Sequence, residues 1–263
     1  MIELRDVTKV FNPGTPNENV ALRHMNLQVN EGDFITVIGS NGSGKTTLFN
    51  LIGGTFTPTM GQVFAHGENV TKEAEYKRSR YIGRIFQDPL LGTAGTMSLE
   101  HNMMLSAYKG MKSLKKNLNA KRRSYFRERL SELEMGLEDR LKDNVGLLSG
   151  GQRQALTLLM MVLSRPELIL LDEHTAALDP HNADKVLHLT TKFVEEYKLT
   201  TVMITHNMHQ ALKYGNRLIM LDAGEIILNV DGEEKQQLTV SELVNRFKKI
   251  RHQEIDDDEL LLS

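Results

Sequence analysis

Cysteine is absent from the 263-residue chain. That excludes disulfides, thiolate metal ligands and a cysteine nucleophile, and it fits a reducing compartment. No apolar run approaches the ~20 residues that a membrane-crossing helix needs. The first six residues, Met1-Ile2-Glu3-Leu4-Arg5-Asp6, are already charged and lack the apolar core of a secretion signal. Positive charge is not in excess either. Thirty-two Lys and Arg stand against 34 Asp and Glu, a formal net charge of -2, so no overall basic field draws a nucleic-acid backbone. Internal repeats and long low-complexity linkers are missing as well. The expectation is a cytosolic globular chain that touches a membrane only through a partner.

What is present reads as α/β. Ile2 and Leu4 alternate with Glu3 and Arg5, and Met25, Leu27 and Val29 with Asn26 and Gln28, which predicts strands. Asn30-Glu31-Gly32-Asp33 signals a turn. Phe34 to Ile38 is a short charge-free strand that runs into a glycine-rich loop, and Lys45 to Ile52 predicts a helix. Residues 98–141 carry helix formers and many charges, and read as helices inserted into the core. Ala155 to Leu163 is almost wholly apolar, so its helix is expected to be buried on most sides. Leu168 to Leu171 and Thr201 to Ile204 predict buried parallel strands, with a crossover helix over 181–198. Arg217 to Leu228 predicts a hairpin across Asp222-Ala223-Gly224. Asp256-Asp257-Asp258-Glu259 predicts a mobile acidic end.

Gly39-Ser40-Asn41-Gly42-Ser43-Gly44-Lys45-Thr46 fits the phosphate-loop pattern G-x-x-x-x-G-K-[ST]. The glycines let the backbone curl so that N–H groups point at phosphate oxygens. The helix that starts near Lys45 adds its positive dipole end. Lys45 brings a point charge to the β and γ phosphates, and the Thr46 hydroxyl can bind Mg²⁺; Thr47 follows in the same turn. A glycine turn with an incidental lysine is the bland alternative, and the strand before and helix after the loop argue against it. The pattern alone specifies only a phosphate-loop nucleotidase.

Downstream, Leu168-Ile169-Leu170-Leu171 ends in Asp172-Glu173. A buried strand can hold Asp172 rigidly for Mg²⁺, and Glu173, one residue on, can polarise a water in line with the γ-phosphate. His206 follows the strand Thr201 to Ile204, where open α/β sheets keep their ligands, and can hydrogen-bond the γ-phosphate. Ser149-Gly150-Gly151-Gln152 opens a helix and makes a second anion-binding nest, with Ser149 as its N-cap and a free hydroxyl. One ATP does not need two nests from one chain. A dimer in which each nest closes the other chain's site uses both.

Here the chain resembles the ABC transporter ATPases. Leu148-Ser149-Gly150-Gly151-Gln152 matches the LSGGQ signature, Gly39 to Thr46 the Walker A loop, and Leu168 to Asp172 with Glu173 the Walker B strand and catalytic glutamate. Gln87, in Phe86-Gln87-Asp88-Pro89, looks like the Q-loop glutamine that contacts Mg²⁺ or water and senses the permease. Ala177-Leu178-Asp179 looks like the D-loop, His206 like the switch histidine, and Phe11 like the aromatic that stacks on adenine. The resemblance covers residues 1 to about 247. It implies ATP and Mg²⁺ as cofactors and an ABC ATPase core of mixed sheet with parallel central strands, an antiparallel β subdomain and an inserted α-helical subdomain. The core is expected over 1–97 and 142–247, the helical subdomain over 98–165 with the signature included, and an acidic tail over 248–263. One departure stands out: His174 occupies the place of the proline that many members carry after the glutamate, either loosening that turn or adding a hydrogen bond.

Phe11 to Thr15, Phe86 to Thr93 and Asp172 to Pro180 resemble a narrower branch, ATPases that work with a branched-chain-type permease and a lipoprotein-type binding protein in import of tryptophan or other aromatic amino acids. The resemblance therefore implies a homodimer on the cytoplasmic side of a membrane, bound to permease subunits and, through them, to an extracellular binding protein, with no nucleic acid. An exporter or cell-division ATPase shares these motifs. A nucleic-acid or ribosome ATPase of the family usually adds coiled-coil inserts, zinc cysteines or a second cassette, none of which is here. The basic residues Lys112, Lys115, Lys116, Lys121, Arg122, Arg123, Arg127 and Arg129 read as a solvated helical face, or as a contact with anionic lipid or a permease loop.

Overall fold

The computed structural model describes residues 1–107 and 118–248. The chain packs as two units, Met1–Lys72 with Val202 onward, and Glu73–Thr201.

In the first unit, β1 (Ile2–Phe11) pairs antiparallel with β2 (Asn19–Val29) and with β4 (Met60–Ala65), and β4 pairs with the short β5 (Glu68–Asn69). The alternation predicted for the start of the chain is realised: Ile2 and Leu4 are buried and face Val29 and Leu27. The register then shifts after Leu4 at a bulge where Asp6 has φ 50°. Gly61 of β4, itself at φ 82°, lies so close that a Cβ on it would stand 2.2 Å from the Asp6 carbonyl oxygen, so only glycine lets β4 follow the bulge.

The same unit holds the parallel strands. β3 (Phe34–Gly39) runs parallel to β9 (Arg217–Asp222), with Ile35 opposite Arg217 and Gly39 opposite Leu221. β10 (Glu225–Asp231) folds back on β9 across Ala223-Gly224, both at positive φ, so the predicted hairpin extends three residues further than expected. β8 (Thr200–Ile204) lies on the other side of β3, and the boundary between the units falls within it. Every residue of β8, and Phe34 to Ile38 of β3, is buried, the expected state for uncharged strands covered on both faces. Helices α1 (Lys45–Gly53), α7 (Met208–Lys213) and α8 (Gly232–Gln237) also belong to this unit. Ile38, Ala211, Leu218, Met220, Val230, Leu238 and Leu243 form one of its cores.

The second unit is built around α5 (Gly150–Leu163), buried along Ala155 to Met160 as predicted. It packs on α6 (Pro180–Tyr197), α3 (Leu99–Ser106), α4 (Ala120–Ser131) and the strand β6 (Ile82–Ile85). β6 runs parallel to β7 (Leu168–Asp172); the short α2 (Glu75–Arg78) precedes it. The predicted insert is helical only in part. After α4 it continues in turns that end in the single 3₁₀ turn Val145–Leu147.

The basic insert is less free than its composition suggests. Arg123 donates to the buried carboxylate of Glu100 at 2.8 Å, and Arg129 pairs with Glu132 at 2.7 Å and with the Tyr197 hydroxyl. Lys121 and Arg127 are exposed, whereas Lys112, Lys115 and Lys116 lie outside the described residues, as does the acidic run 256–259.

Candidate functional site

In the first unit, β3 delivers the chain into the loop at Gly39, whose Cβ, if it had one, would sit 2.3 Å from the Leu221 carbonyl oxygen. Gly44 has φ 99° and stands 2.6 Å, by the same measure, from the Ala21 carbonyl oxygen. Glycine is therefore required at both ends of the loop, by backbone contact at one and by contact and conformation at the other. Gly44 also precedes the first turn of α1, which has no side-chain cap and no acidic residue, so its N–H groups are left for an outside acceptor. Lys45 is buried and bends over the loop, donating to the carbonyls of Gly39 at 2.9 Å and Ser40 at 2.8 Å. Ser40 donates to Asp222 at 2.8 Å. Ser43 Oγ is buried with no hydrogen-bond partner among the described residues, a spare donor beside the loop. Asn41, Gly42 and Thr46 are exposed and Thr47 is half-buried.

His206 is exposed on the loop after β8, and that loop is stiff. Thr205 N–H donates to the Val37 carbonyl of β3, Thr205 Oγ1 donates to Gln210, and Asn207 caps α7 by accepting from Gln210 N–H. A cavity of about 140 Å³ is lined by His206, Gly39, Ser40, Ile38, Met208 and Phe247, among others. The start of the phosphate loop and the histidine thus share one cavity. Phe11 ends β1, half-buried, with its ring edge-on to Phe56 at 5.3 Å and the Lys9 ammonium 5.1 Å from its centre.

In the second unit, Asp172 closes β7 and accepts from Arg84 of β6 at 2.7 Å. Glu173 follows at φ 49°, a left-handed conformation that costs a non-glycine residue ~1–3 kcal/mol and persists only when its surroundings enforce it. The next residue, His174, is anchored in the interior. It is buried, and its Nε2 lies 3.1 Å from Thr190 Oγ1 on α6. The Thr190 proton is already donated to the Val186 carbonyl at 2.8 Å, so Nε2 must carry the hydrogen and His174 must be neutral or cationic with Nε2 as donor. Burial pushes its pKa down to about 4, which selects the neutral Nε2–H form. The histidine in the proline position therefore adds a hydrogen bond rather than loosening the turn. Because the folded-state pKa lies below the unfolded value, this group contributes stability that is complete above pH ~6.5 and lost as pH falls toward 4, by up to about 3 kcal/mol. Urea unfolding of His174→Gln should show a correspondingly shallower loss of stability between pH 6.5 and 4; an unchanged slope would contradict the neutral buried histidine.

Gln87 is exposed just past β6. Its neighbour Phe86 is held from two sides, by the Arg84 guanidinium 4.9 Å from its ring and by the fully buried Gln154 of α5, which donates to its carbonyl at 3.4 Å.

Ser149 caps α5 in a reciprocal box, its Oγ accepting from Gln152 N–H at 3.3 Å while Gln152 Oε1 accepts from Ser149 N–H at 3.2 Å. The predicted N-cap is thus formed, and the Ser149 O–H is left to donate outward. The Gln152 amide turns back onto its own chain, reaching Met135 and Arg140. Arg153 ties down the preceding loop through the carbonyls of Val145, Gly146 and Leu148. Gly151 abuts Asn182, where a Cβ would stand 2.7 Å from its side chain, and Asn182 donates to Asp179 at 2.6 Å. Asp179 caps α6, and that hydrogen bond with Asn182 holds its carboxyl below the usual range. Gly150, Gly151, Leu178 and Asp179 are accordingly neighbours.

Arg84, Gln154 and Asp222 were not singled out from the sequence. Arg84 had one signal available, a lone cation inside an otherwise apolar strand. Among the described residues no group of three or more His, Asp or Glu converges on one point. The Thr46 hydroxyl, exposed in the first unit, and the Asp172 carboxylate, in the second, are each oxygen donors of the kind that suits a hard cation. None of the described helices is long and apolar enough to cross a membrane.

A nest of N–H groups with a lysine, a strand-end carboxylate pair and a second glycine-opened helix start are each suited to the phosphates of a nucleoside triphosphate. Comparison with known proteins agrees. The family model for ABC transporters matches residues 22–176. A tyrosine transport ATP-binding protein of Clostridioides difficile is 41% identical over 249 residues, covering 94% of this chain and 99% of the relative. The methionine import ATP-binding protein MetN 2 of Enterococcus faecalis is 36% identical over 99% of this chain and 75% of its own. Among solved structures, the dimeric post-hydrolysis state of the ATP-binding cassette MJ0796 with ADP and Pi superimposes with a TM-score of 0.72, at 31% identity over 88% of this chain and 98% of that one. The chain belongs to the ABC transporter family, as an ATP-binding and ATP-hydrolysing subunit.

Proposed function

We propose that this subunit powers the import of an aromatic amino acid, as a homodimer on the cytoplasmic face of a membrane permease that receives its solute from an extracellular binding protein. The observation that carries the substrate class is the tyrosine transport relative, similar over nearly the full length of both chains. The branch-like segments around Phe11, Gln87 and Glu173 support the same reading.

The nucleotide is held by Gly39 to Thr47, with Lys45 moving from its two carbonyl acceptors to the β and γ phosphates and the N–H groups of α1 facing them. Phe11 stacks on the adenine. Thr46, Asp172 and Gln87 are the residues assigned to Mg²⁺, which when bound neutralises charge developing on the phosphates. Glu173 orients and deprotonates the attacking water, and His206 contacts the γ-phosphate. Ser149, Gly150 and Gly151 close the partner protomer's nucleotide, with Asp179 beside them at the dimer seam. Gln152 supports this nest through the cap. Hydrolysis removes the phosphate bridge and the dimer reopens.

The test is reconstitution with a cognate permease and binding protein. ATP turnover in proteoliposomes should rise several-fold when the binding protein is loaded with tyrosine or tryptophan. Stimulation by leucine or methionine instead would refute the aromatic assignment.

A further inference from the structure

Arg84 lies opposite Leu170 in the parallel register of β6 and β7. Asp172, two residues beyond Leu170, shares that face of the strand. Across this step Arg84 Nη2 donates to Asp172 Oδ2 at 2.7 Å, with side chains 17% and 14% exposed. The guanidinium is held from the other direction by the Phe86 ring at 4.9 Å. Asp172 Oδ1 takes no hydrogen bond among the described residues. Arginine stays charged at any physiological pH, so Asp172 is paired with a permanent cation in a poorly solvated place. A dication approaching this carboxylate meets a positive charge already seated on it.

We propose that Arg84 is a positioning residue and built-in counter-ion of Asp172, which competes with Mg²⁺ for the carboxylate and weakens the hold of the metal. The pair fixes the rotamer of Asp172 through Oδ2 and leaves Oδ1 to face the metal. Its consequence is a subunit that binds Mg²⁺ with its nucleotide and releases it readily with the product. Because Arg84 also stacks on Phe86, next to Gln87, metal binding at Asp172 changes the charge that holds the start of the Q-loop.

This rests on assigning Asp172 to the metal, so the experiment tests both. Mn²⁺ binding to the ADP-loaded protein is followed by the loss of the free-ion electron paramagnetic resonance signal. Asp172→Asn should weaken Mn²⁺ binding at least tenfold. Arg84→Met should tighten it at least tenfold, the lower bound set by removing a unit charge a few ångströms from a dication even at the dielectric of bulk water. Arg84→Gln, which can still donate to Asp172 without a charge, should tighten it similarly, and Arg84→Lys should stay near wild type. Unchanged or weaker Mn²⁺ binding in both neutral variants, with Asp172→Asn still weak, would overturn the counter-ion proposal alone. Unchanged binding in Asp172→Asn would overturn the metal assignment on which it stands.

Discussion

Replacing Glu173 by glutamine is expected to lower the rate of ATP hydrolysis by ~10²–10⁴-fold while leaving ATP affinity near wild type. The substitution keeps the length and shape of the side chain and removes only its ability to take a proton from water. A loss of that size corresponds to about 3–5 kcal/mol of barrier. It should not act through misfolding, because glutamine has the same length and shape and meets the left-handed backbone at position 173 as glutamate does. With hydrolysis stopped and binding intact, ATP should hold the variant as a stable dimer, which size-exclusion chromatography with ATP reads directly. Phosphate release checks the rate. A variant that turns over repeatedly at the wild-type rate would remove Glu173 from the chemistry.

Ser149→Arg should abolish hydrolysis in the homodimer by at least ~10²-fold, yet leave each monomer able to bind ATP. Two effects separate by size. Losing the cap and its reciprocal bond to Gln152 costs about 1 kcal/mol of stability, too little to unfold a protein of this size. Seating a long cation at the mouth of the glycine nest blocks the approach of a second chain's phosphate. In the Glu173→Gln background, which otherwise dimerises with ATP, Ser149→Arg should therefore eliminate the dimer while equilibrium dialysis still finds one ATP per chain. Persistence of the ATP dimer in the double variant would mean that the signature does not close the partner's nucleotide. The structure sharpens the choice of position: Gly151 is also in the nest, but a side chain there meets Asn182 and disturbs Asp179, so its loss of function would have two readings.

The basic insert illustrates how packing alters the design of a test. Reversing charge at Arg123 would place an acid against the buried Glu100, and its effect would report folding as well as docking. Lys121 and Arg127, both exposed, are the positions at which a docking role is cleanly tested.

Much of the chemistry was legible in the order of residues because phosphate binding is a local backbone problem. Gly39 and Gly44 mark places where backbone contact or a positive φ excludes a side chain, and that requirement is written at the position itself. The strand ending in Asp172 and Glu173 was legible for the same reason, as four apolar residues followed by two acids need no distant partner to be read. Strands without such a pattern were not. β4 exposes three of its first residues and owes its existence to pairing with β1, and β6 is defined by its register with β7. The fate of individual polar atoms was likewise settled only by tertiary structure. Arg84 meets Asp172 across 88 positions and Ser40 meets Asp222 across 182. Such pairs depend on which strands lie side by side and on a register in which one residue of slip turns a side chain to the opposite face. The sequence by itself thus determined that this chain binds and hydrolyses ATP. The packed strands and helices decided which charge sits on the carboxylate of Asp172, and what anchors the residue after Glu173.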